Sequence, residues 1–295
     1  MVYEDIAANK NNTFILLFFY GILIAGLGWI IGVLYGDPYT GIVIGVTASF
    51  IMTFFSYYNS GKLAILSSGA VEADRKIYPG LYYAAEGMAL AAGLPAPKVY
   101  VMPSESINAF AAGRDPKHSA IAVTTGALKK LTKLELEGVI AHEMSHVKNY
   151  DILVSTVAAV MAGAVFMISD VIKRSAFRGR SGRAGLFFGI LAIAAAILAP
   201  IGAMAIKFAV SRQREYMADA SAVLLTRYPQ GLIDALEKIK KETYPEAEYN
   251  SGMQHMYFAN PFRFRADQLF STHPPLDLRI ERLKGNIYKE NPKMG

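Results

Sequence analysis

The chain has 295 residues, of which 53% are hydrophobic, and its mean hydropathy is +0.27. Such values are high for a soluble globular protein and favour membrane-spanning segments. The net charge of +6 does not indicate nucleic-acid binding, since Lys and Arg commonly flank membrane helices on the anionic cytoplasmic side. Because the chain contains no cysteine, disulfides and thiolate metal sites are excluded.

Two uncharged apolar runs lie near the N-terminus, from Thr13 to Gly36 and from Tyr39 to Ser60. Each is long enough to cross a bilayer core, which takes about 20 residues. The turn signal Asp37-Pro38 separates them, so residues 1–60 are predicted to form a transmembrane hairpin. Glycines recur at four-residue spacing in both runs and would let the two helices approach closely. They are Gly28, Gly32 and Gly36 in the first run, and Gly41 and Gly45 in the second.

Two further uncharged runs extend from Ile152 to Ser169 and from Leu186 to Ile206. Their lengths favour membrane spans over buried core helices, and residues 151–210 therefore predict a second transmembrane hairpin. The loop from Lys173 to Arg183 joins them and carries five basic residues and no acidic one. With the first hairpin, the chain is predicted to have four spans.

Residues 61–150 and 211–295 have the composition of soluble protein and are predicted to form two segments of one extramembrane domain. Hydrophobic patterning and turn signals predict three strands, at Lys98–Met102, Ile107–Ala112 and Ser119–Thr124. They also predict helices over Val71–Gly93, Lys133–Asn149, Ser211–Leu225, Pro229–Lys241 and Leu276–Leu283. In front of the second of these helices, Thr132 and Glu135 match a capping box. The fold class predicted is α+β.

The most informative motif is His142-Glu143-Met144-Ser145-His146. Residues four apart share one face of a helix, so both imidazoles can reach one metal ion. Glu143 is then placed to act as the general base towards water, as in zinc metalloproteases. The alternative is an ordinary surface helix with two histidines, which the helix context and the elements farther along the chain disfavour.

A catalytic zinc ion takes a third protein ligand and keeps one open position. No histidine follows His146 at six residues, so the third ligand must come from farther along the chain. Glu215 and Asp219, four residues apart on a predicted helix, are the best candidates, with Glu215 as the ligand of a single zinc ion. Asp219 would then accept the second ring proton of His142. The alternative is an exposed helical face beside Arg212 and Arg214.

Together these segments resemble the HtpX-type membrane proteases, a family related to the CAAX prenyl proteases. The matching segments are Asn108–Phe110, His118–Gly126, His142–Asp151, Ser211–Asp219 and Ser271–Asp277. The resemblance covers nearly the whole chain. It implies a zincin-like domain carried on four membrane helices, with the domain facing the cytosol at the cytoplasmic membrane. It also implies hydrolysis of misfolded or damaged membrane proteins, with polypeptide and lipid, but not nucleic acid, as partners.

The resemblance suggests two weaker sites. Asn108, Ala109 and Phe110 match an edge strand beside the active-site helix, to which an extended substrate could add. His273 matches a histidine near the metal that could stabilise the oxyanion, with a structural role in the Pro274-Pro275 turn as the alternative. A further expectation is that Asp151 orients the metal-binding helix from its C-terminal end.

Two other functions remain open at this stage. A metal-stabilised membrane scaffold without activity would explain the ligands, but such a site has no use for Glu143. A CAAX-type prenyl protease would share the chemistry, yet this chain is short and has only four predicted spans. The basic loop at Lys173–Arg183 would be external if the second hairpin crosses, which the positive-inside rule disfavours. The sequence therefore also allows a hairpin that dips into the membrane without crossing it.

Overall fold

The computed structural model describes residues 2–34, 36–158, 212–242, 258 and 274–290. The helices are α1 (Val2–Leu34), α2 (Pro38–Ser67), α3 (Pro79–Ala92), α4 (Thr125–Lys130), α5 (Lys133–Lys148), α6 (Arg212–Thr226), α7 (Pro229–Lys241) and α8 (Leu276–Glu290). The strands are β1 (Val71–Glu72), β2 (Lys98–Met102), β3 (Ala109–Gly113) and β4 (Ser119–Thr124), and residues 151–158 are also helical. The described domain is therefore of mixed helix and sheet content, as predicted.

The first hairpin is formed by α1 and α2, which turn at Gly36 and Asp37. Gly28 lies against Gly41 and Gly45 so closely that a Cβ atom on it would come within 2.5 Å of the Gly45 Cα atom. Gly32 likewise packs against Gly41. Small residues at four-residue spacing therefore allow the backbone contact that the sequence predicted.

One described helix, α2, is long and apolar enough to cross a membrane, and only 6% of its most apolar window is buried. Such low burial differs from that of a helix in a protein core. The predicted second hairpin lies outside the described residues, apart from 151–158. The four-helix membrane bundle is thus not established by the described part of the chain.

The four strands form one sheet in the order β1-β2-β4-β3. The central strands β2 and β4 are parallel, while β1 and β3 are antiparallel edge strands. Side chains alternate between the two faces, as the period of two in a strand requires. One face packs against α3 and α5, with α7 packed on α5, and the other packs against Ala64 and Ile65 near the end of α2. The hairpin of α1 and α2 is therefore continuous with the core of the domain.

One predicted helix was wrong at its start. Residues 71–72 form β1 instead, and the helix α3 begins only at Pro79. Proline is well suited to the first position of a helix, where its missing N–H costs no hydrogen bond. At the other end Gly93 adopts a left-handed conformation with φ of 70°, so the predicted stop is confirmed.

Candidate metal centre

Helix α5 carries both histidines of the motif and is fixed at its start by the predicted capping box. The Thr132 side chain accepts the Glu135 N–H, and the Glu135 carboxylate accepts the Thr132 N–H. His142 and His146 lie one turn apart on the face that points away from solvent. Their Nε2 atoms are 3.2 Å apart, so both rings turn the same nitrogen towards one point.

Helix α6 brings Glu215 to the same point. Its carboxylate oxygens lie 3.6 Å from the Nε2 atom of His142 and 3.5 Å from that of His146. Ligand atoms of these three residues all lie within 4.8 Å of one another. Bonds of about 2.0–2.2 Å to a tetrahedral zinc ion separate neighbouring ligand atoms by about 3.3–3.6 Å. The donor set of two imidazoles and one carboxylate, and its spacing, therefore fit such an ion.

Asp219, one helical turn after Glu215, lies against the far side of the His142 ring. Its Oδ1 atom is 3.0 Å from His142 Nδ1, the contact predicted from the sequence. Arg279 of α8 is fully buried and binds both oxygens of this carboxylate. Burial disfavours ionisation of Asp219, but Arg279 and His142 outweigh it and lower the pKa of Asp219 to about 2. The carboxylate is thus held charged beside His142.

Asp151 contacts the Nδ1 atom of His146, as Asp219 contacts that of His142. Its Oδ2 atom lies 2.9 Å from His146 Nδ1. Burial disfavours the imidazolium, yet the hydrogen bond to Asp151 and the charge of Glu215 raise the pKa of His146 to about 9. Each histidine therefore has a carboxylate on its Nδ1 atom, which leaves Nε2 for a metal ion. The expectation that Asp151 orients the metal-binding helix agrees with this contact.

Glu143 lies beside the ligands and is only 2% exposed. Burial raises the pKa of its carboxyl group, partly offset by His142 and His146, and the backbone N–H of Ala111 donates to the carboxylate. A carboxylate whose pKa is raised is a stronger base than an ordinary carboxylate. The hydrogen bond to Ala111 also joins α5 directly to the edge strand β3.

Every second residue of the edge strand β3 turns its backbone N–H and C=O groups away from β4. Ala109 accepts the N–H of Phe258 at 2.7 Å, Ala111 donates to Glu143, and Gly113 donates to Thr156. Phe258 is buried, and its ring meets the His142 ring edge to face at 4.9 Å. Part of the edge predicted to receive substrate is therefore occupied by the chain itself.

Phe110 is the third residue of the predicted substrate-binding strand. Its side chain is fully buried against α2, and in the register of the sheet it pairs with Ala122 of β4. The period of two along a strand explains this, because residues next to Ala109 and Ala111 turn their backbone groups to the neighbouring strand. Asn108 accepts the N–H of Thr124 of β4 in the same way, and its side-chain oxygen accepts the N–H of Ala109.

His273 lies outside the described residues. Arg279 was not found from the sequence, because a single arginine on an amphipathic helix normally lies on the solvated face. Phe258 was also missed, since an isolated aromatic residue gives no local signal of contact with a metal ligand. Both contacts arise only when distant segments are brought together.

The geometry agrees with comparisons to known proteins. The model of peptidase family M48 matches residues 81–287. The chain belongs to peptidase family M48. The resemblance stated from the motifs is thereby confirmed, and this M48 peptidase is a membrane metalloprotease.

Several relatives of this M48 peptidase are similar over nearly their whole length. It is 45% identical to a protease HtpX homolog of Dictyoglomus thermophilum, over 96% of this chain and 94% of that protein. It is 43% identical to a protease HtpX homolog of Tropheryma whipplei, over 96% of this chain and 98% of that protein. The crystal structure of S. mikatae Ste24p matches 95% of this chain and 66% of the longer one, with 19% identity and a TM-score of 0.46.

Proposed function

We propose that this M48 peptidase is a zinc endopeptidase in which His142, His146 and Glu215 hold one zinc ion and Glu143 is the general base. The observation that carries the proposal is the convergence of three ligand atoms within 4.8 Å beside the buried Glu143 carboxyl group. The ligand set supports zinc over Mg²⁺ or Ca²⁺, because those ions prefer oxygen ligands alone.

A zinc ion held by these residues would supply a Lewis acid that acidifies water and polarises the scissile carbonyl group. Glu143 would take a proton from the attacking water and pass it to the leaving amine nitrogen. The raised pKa of Glu143 supports the role of base, because a carboxylate with a higher pKa takes a proton from water more readily than an ordinary carboxylate. Asp219 and Asp151 would accept the Nδ1 protons of the two imidazoles, which fixes the tautomer and turns each Nε2 atom towards the metal ion.

The substrate is proposed to bind as an extended strand along β3. Ala109 and Ala111 turn their backbone groups to the outer edge, next to Glu143, and these are the groups that an added strand would meet. Because Phe258 already donates to the Ala109 carbonyl, the substrate would pair beyond that contact or displace it. Asn108 contributes by fixing the backbone of Ala109, and His273 is proposed to stabilise the oxyanion.

The substrates are proposed to be misfolded or damaged membrane proteins, in line with the relatives named HtpX. The domain organisation proposed is a hairpin at 1–60, catalytic segments at 61–150 and 211–295, and a second hairpin at 151–210. The catalytic domain would face the cytosol, because Lys62, Arg75 and Lys76 follow the second apolar run on the domain side while the opposite turn carries only Asp37.

The alternative of a silent, metal-stabilised scaffold is disfavoured by Glu143. A buried carboxyl group between two ligands costs stability and would serve no purpose at a purely structural site. The alternative of a prenyl protease differs in substrate but not in catalytic residues.

The test compares Glu143→Gln with Glu137→Gln, a matched change on the same helix. Casein degradation and zinc content are measured for the full chain in detergent. We expect Glu143→Gln to retain one zinc ion per chain and to lose at least ~10²-fold in rate. Glu137→Gln should resemble the wild type. Proteolysis by Glu143→Gln at the wild-type rate would overturn the assignment of the base.

A further inference from the structure

The first helix reaches the metal centre through a single buried amide. Asn9 lies in the early turns of α1, before the uncharged run that starts at Thr13, and is 2% exposed. Its Nδ2 atom donates to Asp151 Oδ1 at 2.7 Å and to the Asn149 carbonyl at 2.9 Å. Its Oδ1 atom accepts from Arg214 at 3.0 Å. The side-chain amide of Asn9 therefore has partners for both its NH2 group and its oxygen, and these partners fix the orientation of the amide.

The partner of this amide is the carboxylate that orients a proposed ligand. Asp151 binds Asn9 through Oδ1 and His146 through Oδ2. Because the two oxygens of one carboxylate are rigidly linked, the position of Asn9 determines how Asp151 meets the His146 ring. The Nη1 atom of Arg214 lies 3.4 Å from Asp151 Oδ1 and also donates to Asn9, so α6 contacts both members of this pair.

We propose that Asn9 is a positioning residue of the metal centre, acting on His146 through Asp151. The proposal rests on the proposed role of His146 as a ligand. It makes the first helix part of the support of the active site and not only a membrane anchor. Removing an outer partner of a ligating histidine typically lowers metal affinity by about 10- to 100-fold, and we expect a loss in that range here.

A purely structural role for Asn9 predicts a different result. Asn9 also holds the Asn149 carbonyl at the end of α5, so it could merely dock α1 on the domain. The neighbouring Lys10 provides the control, because its Nζ atom lies 4.3 Å from the centroid of the Tyr150 ring and contacts the same turn. Lys10→Met thus weakens the docking without touching Asp151.

The experiment uses the full chain in detergent, with zinc affinity measured by competition with a chelator. The absorption spectrum of the cobalt-substituted protein gives a second readout that reports on ligand geometry. Asn9→Ala and Asn9→Asp should lower zinc affinity by about 10- to 100-fold and shift the cobalt bands. Asn9→Asp keeps the shape and the acceptor for Arg214 but replaces the donating amide. Lys10→Met should keep the wild-type affinity and spectrum.

A double-mutant cycle with Asp151→Ala tests whether Asn9 acts on His146 through Asp151. If Asn9 acts through Asp151, Asn9→Ala should cause no further loss of zinc affinity in the Asp151→Ala background. Additive losses, an equal loss in Lys10→Met, or unchanged affinity in both Asn9 variants would each overturn the inference. Failure of both Asn9 variants to fold would overturn it too, because the residue would then serve folding. His146→Ala separates this from the proposed function, since retention of zinc in that variant would contradict the ligand assignment itself.

Discussion

Arg279 binds Asp219 with two hydrogen bonds, Nη2 to Oδ1 at 2.6 Å and Nε to Oδ2 at 2.8 Å. Both side chains are buried, and Asp219 in turn lies against His142. Arg279 also donates to the Phe258 carbonyl at 3.0 Å. A single guanidinium of α8 therefore joins the support of the proposed ligand His142 to Phe258, which lies on the edge strand.

Replacing Arg279 with leucine should strongly destabilise the domain. The change leaves the buried Asp219 carboxylate without its bidentate partner, and breaking a buried pair in this way costs about 3–5 kcal/mol. Chemical denaturation in detergent would measure the loss. Arg282→Leu, on the same helix, removes a cation that stacks on Tyr216 at the surface, so its cost should be only about 0.5–1 kcal/mol. Equal losses in the two variants would contradict the buried pairing.

Replacing Glu215 and replacing Asp219 should reduce zinc binding to different extents. Glu215→Ala removes one of three proposed ligands and should abolish stoichiometric zinc binding. Asp219→Asn keeps the side-chain shape and should weaken zinc affinity by about 10- to 100-fold. Chelator titration of both variants would measure this. Zinc loss in Asp219→Asn together with retention in Glu215→Ala would mean that the two roles must be exchanged.

The glycine contact between α1 and α2 should tolerate no side chain. Gly28→Ala would place a methyl group 2.5 Å from the Gly45 Cα atom, so the helices must separate. Overpacking of this kind costs about 1–3 kcal/mol, which thermal unfolding in detergent would detect. Gly26→Ala is the matched control on the same helix, because nothing lies within 4 Å of the added atom. A similar loss in both variants would refute the close contact.

The proposed orientation can be tested by labelling single cysteines, since the native chain has none. Positions 37 and 117 are both exposed, one at the turn of the hairpin and one in the catalytic domain. A membrane-impermeant maleimide added to whole cells should label position 37 but not position 117. Label at position 117 would reverse the orientation. A cysteine at position 181 would report whether the second predicted hairpin crosses.

The local elements around the site could be predicted from the sequence because their signals lie within a few residues of one another. The bounds of β2, β4 and α7 agree with those predicted, and the capping box of α5 is present. The pairing of His142 with His146 follows from helical periodicity alone. The spacing of Gly28 and Gly45 in their runs likewise predicted the close contact, because backbone approach depends only on a small residue recurring on one helix face.

The connections between these elements were decided by the tertiary structure. Asn9 and Asp151 are separated by 142 residues, and Asp219 and Arg279 by 60, so no periodicity links them. Which backbone groups of β3 reach Glu143 also depended on the register with β4, in which Phe110 pairs with Ala122 while the Ala111 N–H points to Glu143. The sequence by itself therefore determined the chemistry of the ligands, since that resides in residue types and short spacings. The fold alone decided what holds those ligands in place, because hydrogen bonds between buried side chains form only where packing brings distant segments together.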